Sequence, residues 1–256
     1  MKNNLSKYEQ KVYFSLQPNH IYDIAFIAAQ EKIKRETLLV LLSRMQKNGW
    51  ITRLKRGKYL VNAAGGMEIE DYFTIALNIF NGYLGFSSAL YVYNAMDELP
   101  STIYVCTEKT TAAKILQSIE IKAVSLGKRA TGMTYFKKYF ISSRAKTMYD
   151  CFYMPKFSGG YSNILAAVKR LALTELEWDI FVFYVKRFGN PAFSRKIGFL
   201  LETLSEKTTV EIPKKILNEL NVGKQIAKIG KGNVGKFNKK WRVVNYIDEG
   251  DLLGKL

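Results

Sequence analysis

Apolar positions near the start of the chain recur with a helical period and then alternate with a strand period. Residues 5–16 and 35–47 carry apolar side chains three or four positions apart, which predicts two helices, and the mostly apolar residues 21–30 predict a short helix between them. Residues 50–54 and 59–61 alternate on either side of a basic turn, which predicts a hairpin. Helices joined by a tight turn and followed by a basic hairpin indicate a winged helix-turn-helix.

The third predicted helix has one face for the core and another for a partner. Its inward face is expected to consist of Leu38, Leu39, Leu42 and Met45. Gly49 is expected to end it, because glycine commonly occupies the left-handed position after a helix. A DNA major groove is about 12 Å wide and admits such a helix. The polar residues predicted to contact DNA from this helix are Lys34, Arg35, Thr37, Arg44 and Lys47.

The predicted hairpin is the wing of this domain. Its basic residues, which we expect to contact phosphates, are Arg53, Lys55, Arg56 and Lys58. Phosphate contacts position a protein on DNA without reading its sequence. Thr37, near the start of the helix, is expected to contact either a base edge or a phosphate. Two other interpretations stay open: the basic residues form an ordinary solvated face, or the winged helix binds another protein.

Residues 67–155 predict an α+β module in which helices pack on a small antiparallel sheet. The predicted helices span residues 70–80, 86–96 and 143–155, and the predicted strands span residues 101–108, 119–126 and 131–142. Aromatic residues at strand or helix spacing are more often core than a base-stacking platform, so no site is assigned to those of this segment. The aromatic residues expected in the core are Tyr91, Tyr93, Tyr135, Phe136, Tyr139 and Phe140.

Residues 156–256 predict a mainly helical, basic C-terminal region. Helices are expected over residues 161–176, 179–188 and 193–204. Three acidic residues near the first helix junction suggest an acid/base pair, but nothing in the pattern would separate their pKa values. We therefore expect a solvated acidic patch made of Glu175, Glu177 and Asp179.

A glycine-rich stretch near residue 230 partly matches nucleotide-binding patterns. Gly230, Gly232 and Gly235 have the spacing GxGxxG, but the residues that follow predict a strand where a dinucleotide site needs a helix. Phe237 stands where a phosphate loop needs Ser or Thr. The sequence thus predicts no nucleotide site and no cofactor. The remaining basic loop is either a flexible solvated hairpin or a second polyanion contact, formed by Lys231, Lys236, Lys239, Lys240 and Arg242.

The charge is concentrated at the two ends of the chain. The 256 residues include 39 Lys and Arg against 22 Asp and Glu, a net charge of +17. Residues 1–66 carry +8, residues 67–155 carry +1 and residues 156–256 carry +8, with Ala63–Gly66 as a flexible linker after the first segment. The predicted fold class is therefore α+β, with a winged helix-turn-helix, an α+β middle module and a mainly helical C-terminal region.

Several classes of protein are excluded at this point. No apolar run reaches the roughly 18 residues of a membrane span, and the first residues lack the apolar core of a signal peptide, so the protein is expected to be cytoplasmic and not to bind membranes. Cys106 and Cys151 are expected to be small buried hydrophobic residues. With His20 as the single histidine, a histidine-based catalytic or metal site is not expected, and the chain is predicted not to be an enzyme.

Five motifs follow one another in a recognisable order. They are NGWITRLKRGKYLV at residues 48–61, GFSSALYVYNAM at residues 85–96, ISSRAKTMYDCFYMP followed by Gly159-Gly160, RKIGFLLETL at residues 195–204, and KWRVVNY at residues 240–246. Each motif is loose alone, but their order resembles the AbiEi-like antitoxins and transcriptional regulators of abortive-infection toxin-antitoxin systems. The resemblance covers roughly residues 5–247.

The resemblance implies a function for each end of the chain. The N-terminal domain would bind double-stranded promoter DNA and repress its own operon, and the C-terminal region would counteract a co-encoded nucleotidyltransferase-like toxin in phage defence. A stable complex with the toxin is not implied, and the family supplies no catalytic residues. Two alternatives remain: a stand-alone winged-helix repressor with a ligand-sensing C-terminal domain, or a nucleic-acid-processing enzyme that uses the basic glycine-rich loop.

Overall fold

Two compact units, Met1–Asn81 and Gly82–Leu256, make up the chain. The computed structural model describes residues 5–63, 71–221 and 223–254. Within these residues the fold is a mixture of α and β structure, with 11 α-helices and three sheets. The predicted boundary at residue 66, and the linker apart from Ala63, lie outside the described residues. We call the two parts the N-terminal unit and the C-terminal unit.

The N-terminal unit combines four helices with a three-stranded antiparallel sheet of order β1-β3-β2. Its helices α1 to α3 close over the sheet around the fully buried Ile27, Leu38, Leu42 and Met45. The elements are α1 (Lys7–Phe14), β1 (Ile21–Asp23), α2 (Ile24–Glu31), α3 (Arg35–Lys47), β2 (Ile51–Lys55), β3 (Lys58–Val61) and α4 (Tyr72–Ile79).

The segment predicted as one helix over residues 21–30 is a strand followed by a helix. Ile21–Asp23 pairs with β3, and the helix begins only at Ile24. The Ile24 amide donates to the Gly57 carbonyl over 2.8 Å, which ties the start of α2 to the hairpin turn. A three-residue strand at the edge of a sheet is too short to produce an alternating pattern, so the apolar run conceals it.

The C-terminal unit is built from a six-stranded sheet, a helical bundle and a small three-stranded sheet. Its elements are β4 (Tyr83–Leu84), α5 (Phe86–Val92), β5 (Thr102–Thr107), β6 (Ala112–Leu116), β7 (Ile119–Ser125), β8 (Met133–Phe136), β9 (Tyr139–Ser142), α6 (Arg144–Tyr153), α7 (Tyr161–Leu171), α8 (Glu175–Phe188), α9 (Pro191–Lys207), α10 (Lys214–Leu220), β10 (Ala227–Ile229), β11 (Lys236–Asn238), β12 (Val243–Asn245) and α11 (Glu249–Leu253). Short 3-10 helices span Gly127–Arg129 and Pro155–Ser158.

The larger sheet corrects the prediction of a small antiparallel one. Its strand order is β6-β7-β5-β4-β9-β8, and β5 runs parallel to β7, as β4 does to β9. The prediction missed β6 and β4. Strand β6 has the sequence AAKIL, in which alanine has low strand propensity, and β4 has only two residues. Without these strands, the crossover that makes β5 and β7 parallel is not visible in the sequence.

One hydrophobic core joins the elements on both sides of the predicted boundary at residue 155. It runs from Leu90 on α5 through α6 to α9 and includes Trp241 and Leu252 near the C-terminal end. The two cysteines are fully buried and unpaired, as predicted for small hydrophobic residues.

The junction between α7 and α8 lies earlier than predicted. Helix α7 ends at Leu171, where Ala172 takes a left-handed conformation with φ of 44°. Helix α8 then begins with a capping box in which Thr174 and Glu177 satisfy each other's backbone amides. Of the predicted acidic patch, Glu177 therefore has a capping role, and it also pairs with Arg144 at 3.3 Å.

A charged pair lies in the core at the centre of α6. Lys146 Nζ is 2.5 and 2.6 Å from the two carboxylate oxygens of Asp150, and both side chains are buried. The rings of Tyr149 and Tyr184 lie 5.4 and 5.8 Å from the ammonium group. Burial raises the pKa of Asp150 to about 6, although the charge of Lys146 lowers it. Removing this carboxylate from water is thus costly, and the ammonium group of Lys146, one helical turn earlier, offsets that cost.

No helix among the described residues is long and apolar enough to cross a membrane.

Candidate nucleic-acid interface

Helix α3 presents a continuous face to solvent in the N-terminal unit. Its buried residues are Leu38, Leu41, Leu42 and Met45. The prediction placed Leu39 inside instead of Leu41, but Leu39 is 45% exposed. Successive helical residues turn by about 100°, so residue 41 continues the stripe begun at residues 38 and 42, while residue 39 points away from it.

The predicted polar residues of α3 all lie on its exposed side. Lys34, Arg35, Thr37, Arg44 and Lys47 are exposed. The prediction missed three further residues, which share the middle of this face with Lys47 because they are spaced by three and four positions. These residues are Glu36, Val40 and Ser43. The same periodicity that identified the buried stripe would have found them on the opposite side.

A three-residue turn, Lys32 to Lys34, joins α2 to α3. Lys32 has a left-handed conformation with φ of 53° and ends α2, and the Ile33 amide donates to the Ala28 carbonyl over 3.1 Å. This reversal directs the N-terminal end of α3, with Arg35, towards solvent. The turn thereby places a cationic residue at the first exposed turn of the helix.

The hairpin β2–β3 is short and closes through Arg56 and Gly57. Gly57 has a φ of 79°, a conformation that favours glycine. An irregularity between Arg53 and Lys55 shifts the register of β2 on β3. Arg53 and Arg56 are both exposed. The predicted wing thus presents the guanidinium group of Arg56 at its tip and that of Arg53 from β2, and the planar donors of this group suit phosphate.

The two lysines of the predicted wing face a different environment. Lys55 Nζ donates to Asn81 over 3.1 Å, and Lys58 Nζ donates to Asn78 over 2.8 Å. Lys58 also lies 4.0 Å from the Asp23 carboxylate. Burial, and then the charge of Lys58, lower the pKa of Lys55. These lysines are half-buried and hold the hairpin beside α4, whereas Arg53 and Arg56 are exposed.

The second predicted basic cluster lies on the small sheet of the C-terminal unit, which has the order β10-β12-β11. The residues between Gly230 and Gly235 lead into strand β11 and not into a helix. The strand predicted over residues 241–247 contains β12, whereas β11 was not predicted. Lys240 forms an ion pair with Glu202 of α9. The cluster consists of exposed side chains, namely Lys231, Lys236, Lys239, Lys240 and Arg242.

Helix α9 anchors this basic cluster. Trp241 is fully buried against Gly198, where any added Cβ would overlap the indole ring. The indole Nε1 donates to Glu202 over 2.7 Å, and the buried Arg195 donates to the Trp241 carbonyl over 3.2 Å. The motif RKIGFLLE therefore supplies the three residues that fix the KWR segment. Its neighbours Lys240 and Arg242 remain at the surface.

The exposed face of α3 offers cationic and hydroxyl donors, and the second basic cluster offers cationic donors alone. Such groups recognise anions and base edges. No model of a known protein family matches the sequence, and no curated protein matches it.

Proposed function

We propose that the N-terminal unit is a winged helix-turn-helix that binds double-stranded promoter DNA. The order α1-β1-α2-α3-β2-β3, with a three-residue turn before α3 and a hairpin after β2, supports this assignment. The observation that carries the proposal is the exposed face of α3, where the cationic Arg44 and Lys47 share one surface with Thr37 and Val40. A helix with this mixture of groups can donate to base edges and contact the thymine methyl group in a major groove.

We further propose that the protein is an AbiEi-like antitoxin that represses its own operon and counteracts a co-encoded nucleotidyltransferase-like toxin in phage defence. Support comes from the order of the five motifs. The structure also explains two of them physically: SRAKTMYD contains the buried pair of Lys146 and Asp150, and RKIGFLLE anchors Trp241. On this proposal the protein acts in the cytoplasm and has no catalytic role.

Replacing Arg56 with alanine should weaken binding to all duplex sequences alike. Arg56 is expected to contact a phosphate, so the slope of log K against log salt should fall in magnitude by about 0.9. Fluorescence anisotropy with the DNA upstream of the gene, and with a scrambled duplex, measures both effects. The control is Lys169→Ala, which removes one exposed charge from α7 and should leave the slope unchanged.

Replacing Thr37 or Arg44 with alanine should reduce the preference for the upstream DNA over the scrambled duplex. A good base contact contributes about 1–3 kcal/mol of discrimination, and the same titrations measure the loss. If the unaltered protein shows no preference between the two duplexes, or if neither variant changes it, α3 is not a recognition helix.

The antitoxin function has a separate test. Expression of a neighbouring nucleotidyltransferase gene should arrest growth, and co-expression of this protein should restore it. The Arg53→Ala/Arg56→Ala variant should still restore growth, although it should no longer repress the operon. A chain that represses normally but leaves growth arrested would instead be a repressor only.

One observation favours the alternative of a ligand-sensing repressor. A groove of about 400 Å³ in the C-terminal unit is lined by the rings of Tyr104 and Phe157 and by Lys156 and Asn163. Its ring faces, beside a cationic and an amide side chain, offer stacking and hydrogen-bond contacts to a small ligand. A ligand in this groove would change the operator affinity of the full chain, and Phe157→Ala would abolish that response.

A further inference from the structure

The hairpin formed by β8 and β9 carries aromatic side chains that are exposed, contrary to the prediction that they belong to the core. Tyr135 is 62% exposed and Phe140 is 58% exposed. Tyr139 on the same hairpin is buried, as predicted, and Phe136 is partly exposed. Strand β8 lies at an edge of the six-stranded sheet and pairs with β9 alone among the described strands.

The exposed rings form a cross-strand pair. Tyr135 lies directly opposite Phe140 in the β8–β9 register, and their centroids are 5.5 Å apart in an edge-to-face arrangement. Met133, two residues before Tyr135, is half exposed on the same face. Phe136 points to the other face, where it packs against Tyr93 at 4.9 Å. The hairpin is thus fixed to the unit by one face and presents rings to solvent from the other.

Two cationic residues lie at the turn of this hairpin, where the ammonium groups of Lys137 and Lys138 are each 5.6 Å from a ring, that of Phe136 and that of Tyr139 respectively. Lys137 and Lys138 form the turn between the strands, and both are exposed. Lys137 has a left-handed conformation and donates to the Val92 carbonyl over 3.3 Å, which holds the turn in place. Residues 133–142 contain these two lysines and no acidic residue. The hairpin therefore combines two accessible rings with a local charge of +2.

We propose that the β8–β9 hairpin binds single-stranded nucleic acid, with bases stacked on Tyr135 and Phe140 and the backbone phosphates near Lys137 and Lys138. Unpaired bases have free π-faces for exposed rings, whereas the bases of a duplex are stacked on each other. The exclusively positive charge favours a polyanion over an average protein surface, which contains both signs. This site is separate from the duplex-binding face proposed for α3.

The experiment uses the full chain and fluorescence anisotropy with labelled 12-nucleotide oligo(U) and oligo(dT). Tyr135→Ala/Phe140→Ala should weaken binding at least about tenfold, since each stacked base contributes measurably to affinity. Tyr135→Leu/Phe140→Leu keeps the apolar character of the hairpin and should lose as much, because the leucine side chain has no ring. The matched control is Phe183→Ala, which removes a half-exposed ring from α8 and should change nothing.

The lysines are tested separately. Lys137→Asn/Lys138→Gln should lower the magnitude of the salt slope by up to about 1.4, at 0.7 for each phosphate on a single strand, whereas the ring variants should keep the slope. Oligo(U) and oligo(dT) distinguish RNA from DNA as the source of the strand. Unchanged affinity in the ring variants, or full affinity in the leucine variant, would overturn the proposal and leave a protein-docking hairpin. Binding of upstream duplex DNA should be the same in all these variants, so this outcome is independent of the proposed repressor function.

Discussion

In the Asp150→Ala variant we expect the free energy of unfolding to fall by about 3–5 kcal/mol, because the ammonium group of Lys146 would remain in the core without its counter-charge. The carboxylate is the only charged partner within hydrogen-bonding distance that the structure gives Lys146 among the described residues. The neighbouring tyrosine rings can offset only part of that loss. Equilibrium denaturation in urea at neutral pH measures the change.

Two further variants show whether stability requires both charges or only requires that neither charge is left unpaired. Lys146→Met/Asp150→Leu removes both charges and should be neutral or more stable than the natural chain by about 1–4 kcal/mol, since neither side chain then has to lose its water shell. Glu219→Ala breaks a similar pair, with Lys186, at the surface and should cost about 1 kcal/mol or less. A small effect of Asp150→Ala would mean that Lys146 reaches solvent in solution.

The Trp241→Ala variant should also lose about 3–5 kcal/mol, because a fully buried indole would be replaced by a cavity between α9 and the small C-terminal sheet. The same denaturation experiment measures the loss. Trp241→Phe keeps most of the buried ring and loses the bond from Nε1 to Glu202, which predicts a smaller cost of about 1–2 kcal/mol.

Gly198→Ala tests the same contact from the opposite side. Alanine is favoured over glycine inside a helix by about 1 kcal/mol. Here the added methyl group would overlap the indole, and overpacking costs about 1–3 kcal/mol. We therefore expect net destabilisation that Trp241→Phe partly relieves in the double variant. A stabilised Gly198→Ala variant would show that the indole can move aside at little cost.

Elements with several consecutive local signals could be predicted from the sequence. Helix α3 has the predicted bounds, since a clear apolar stripe ends at Asn48-Gly49. Strands β1 and β6 could not be predicted, because the first is hidden in an apolar run and the second is rich in alanine. Strand β1 owes its conformation to pairing with β3, which is distant in the sequence, and β6 owes its conformation to a tight hairpin with β7; local propensity includes neither pairing.

The candidate interface was predictable to a similar extent. Exposure of Arg35, Arg44 and Lys47 follows from helical periodicity alone. The partners of Lys55 and Lys58 could not be foreseen, because Asn81 and Asn78 lie 26 and 20 residues away in the sequence. The exposure of Tyr135 and Phe140 was missed for a related reason. Alternation along a strand distinguishes two faces, but only the tertiary packing shows which of them is left exposed.

The distribution of the two cores along the chain has a consequence for synthesis on the ribosome. A core of the N-terminal unit draws all its buried members from residues between Leu5 and Val61, whereas the large core of the C-terminal unit is completed only by Leu252. Roughly 190 residues separate these two points. At about 5–20 residues per second, the first unit can fold some 10–40 s before the second core is complete. A nascent chain would thus present the exposed face of α3 while most of the polypeptide is still being made.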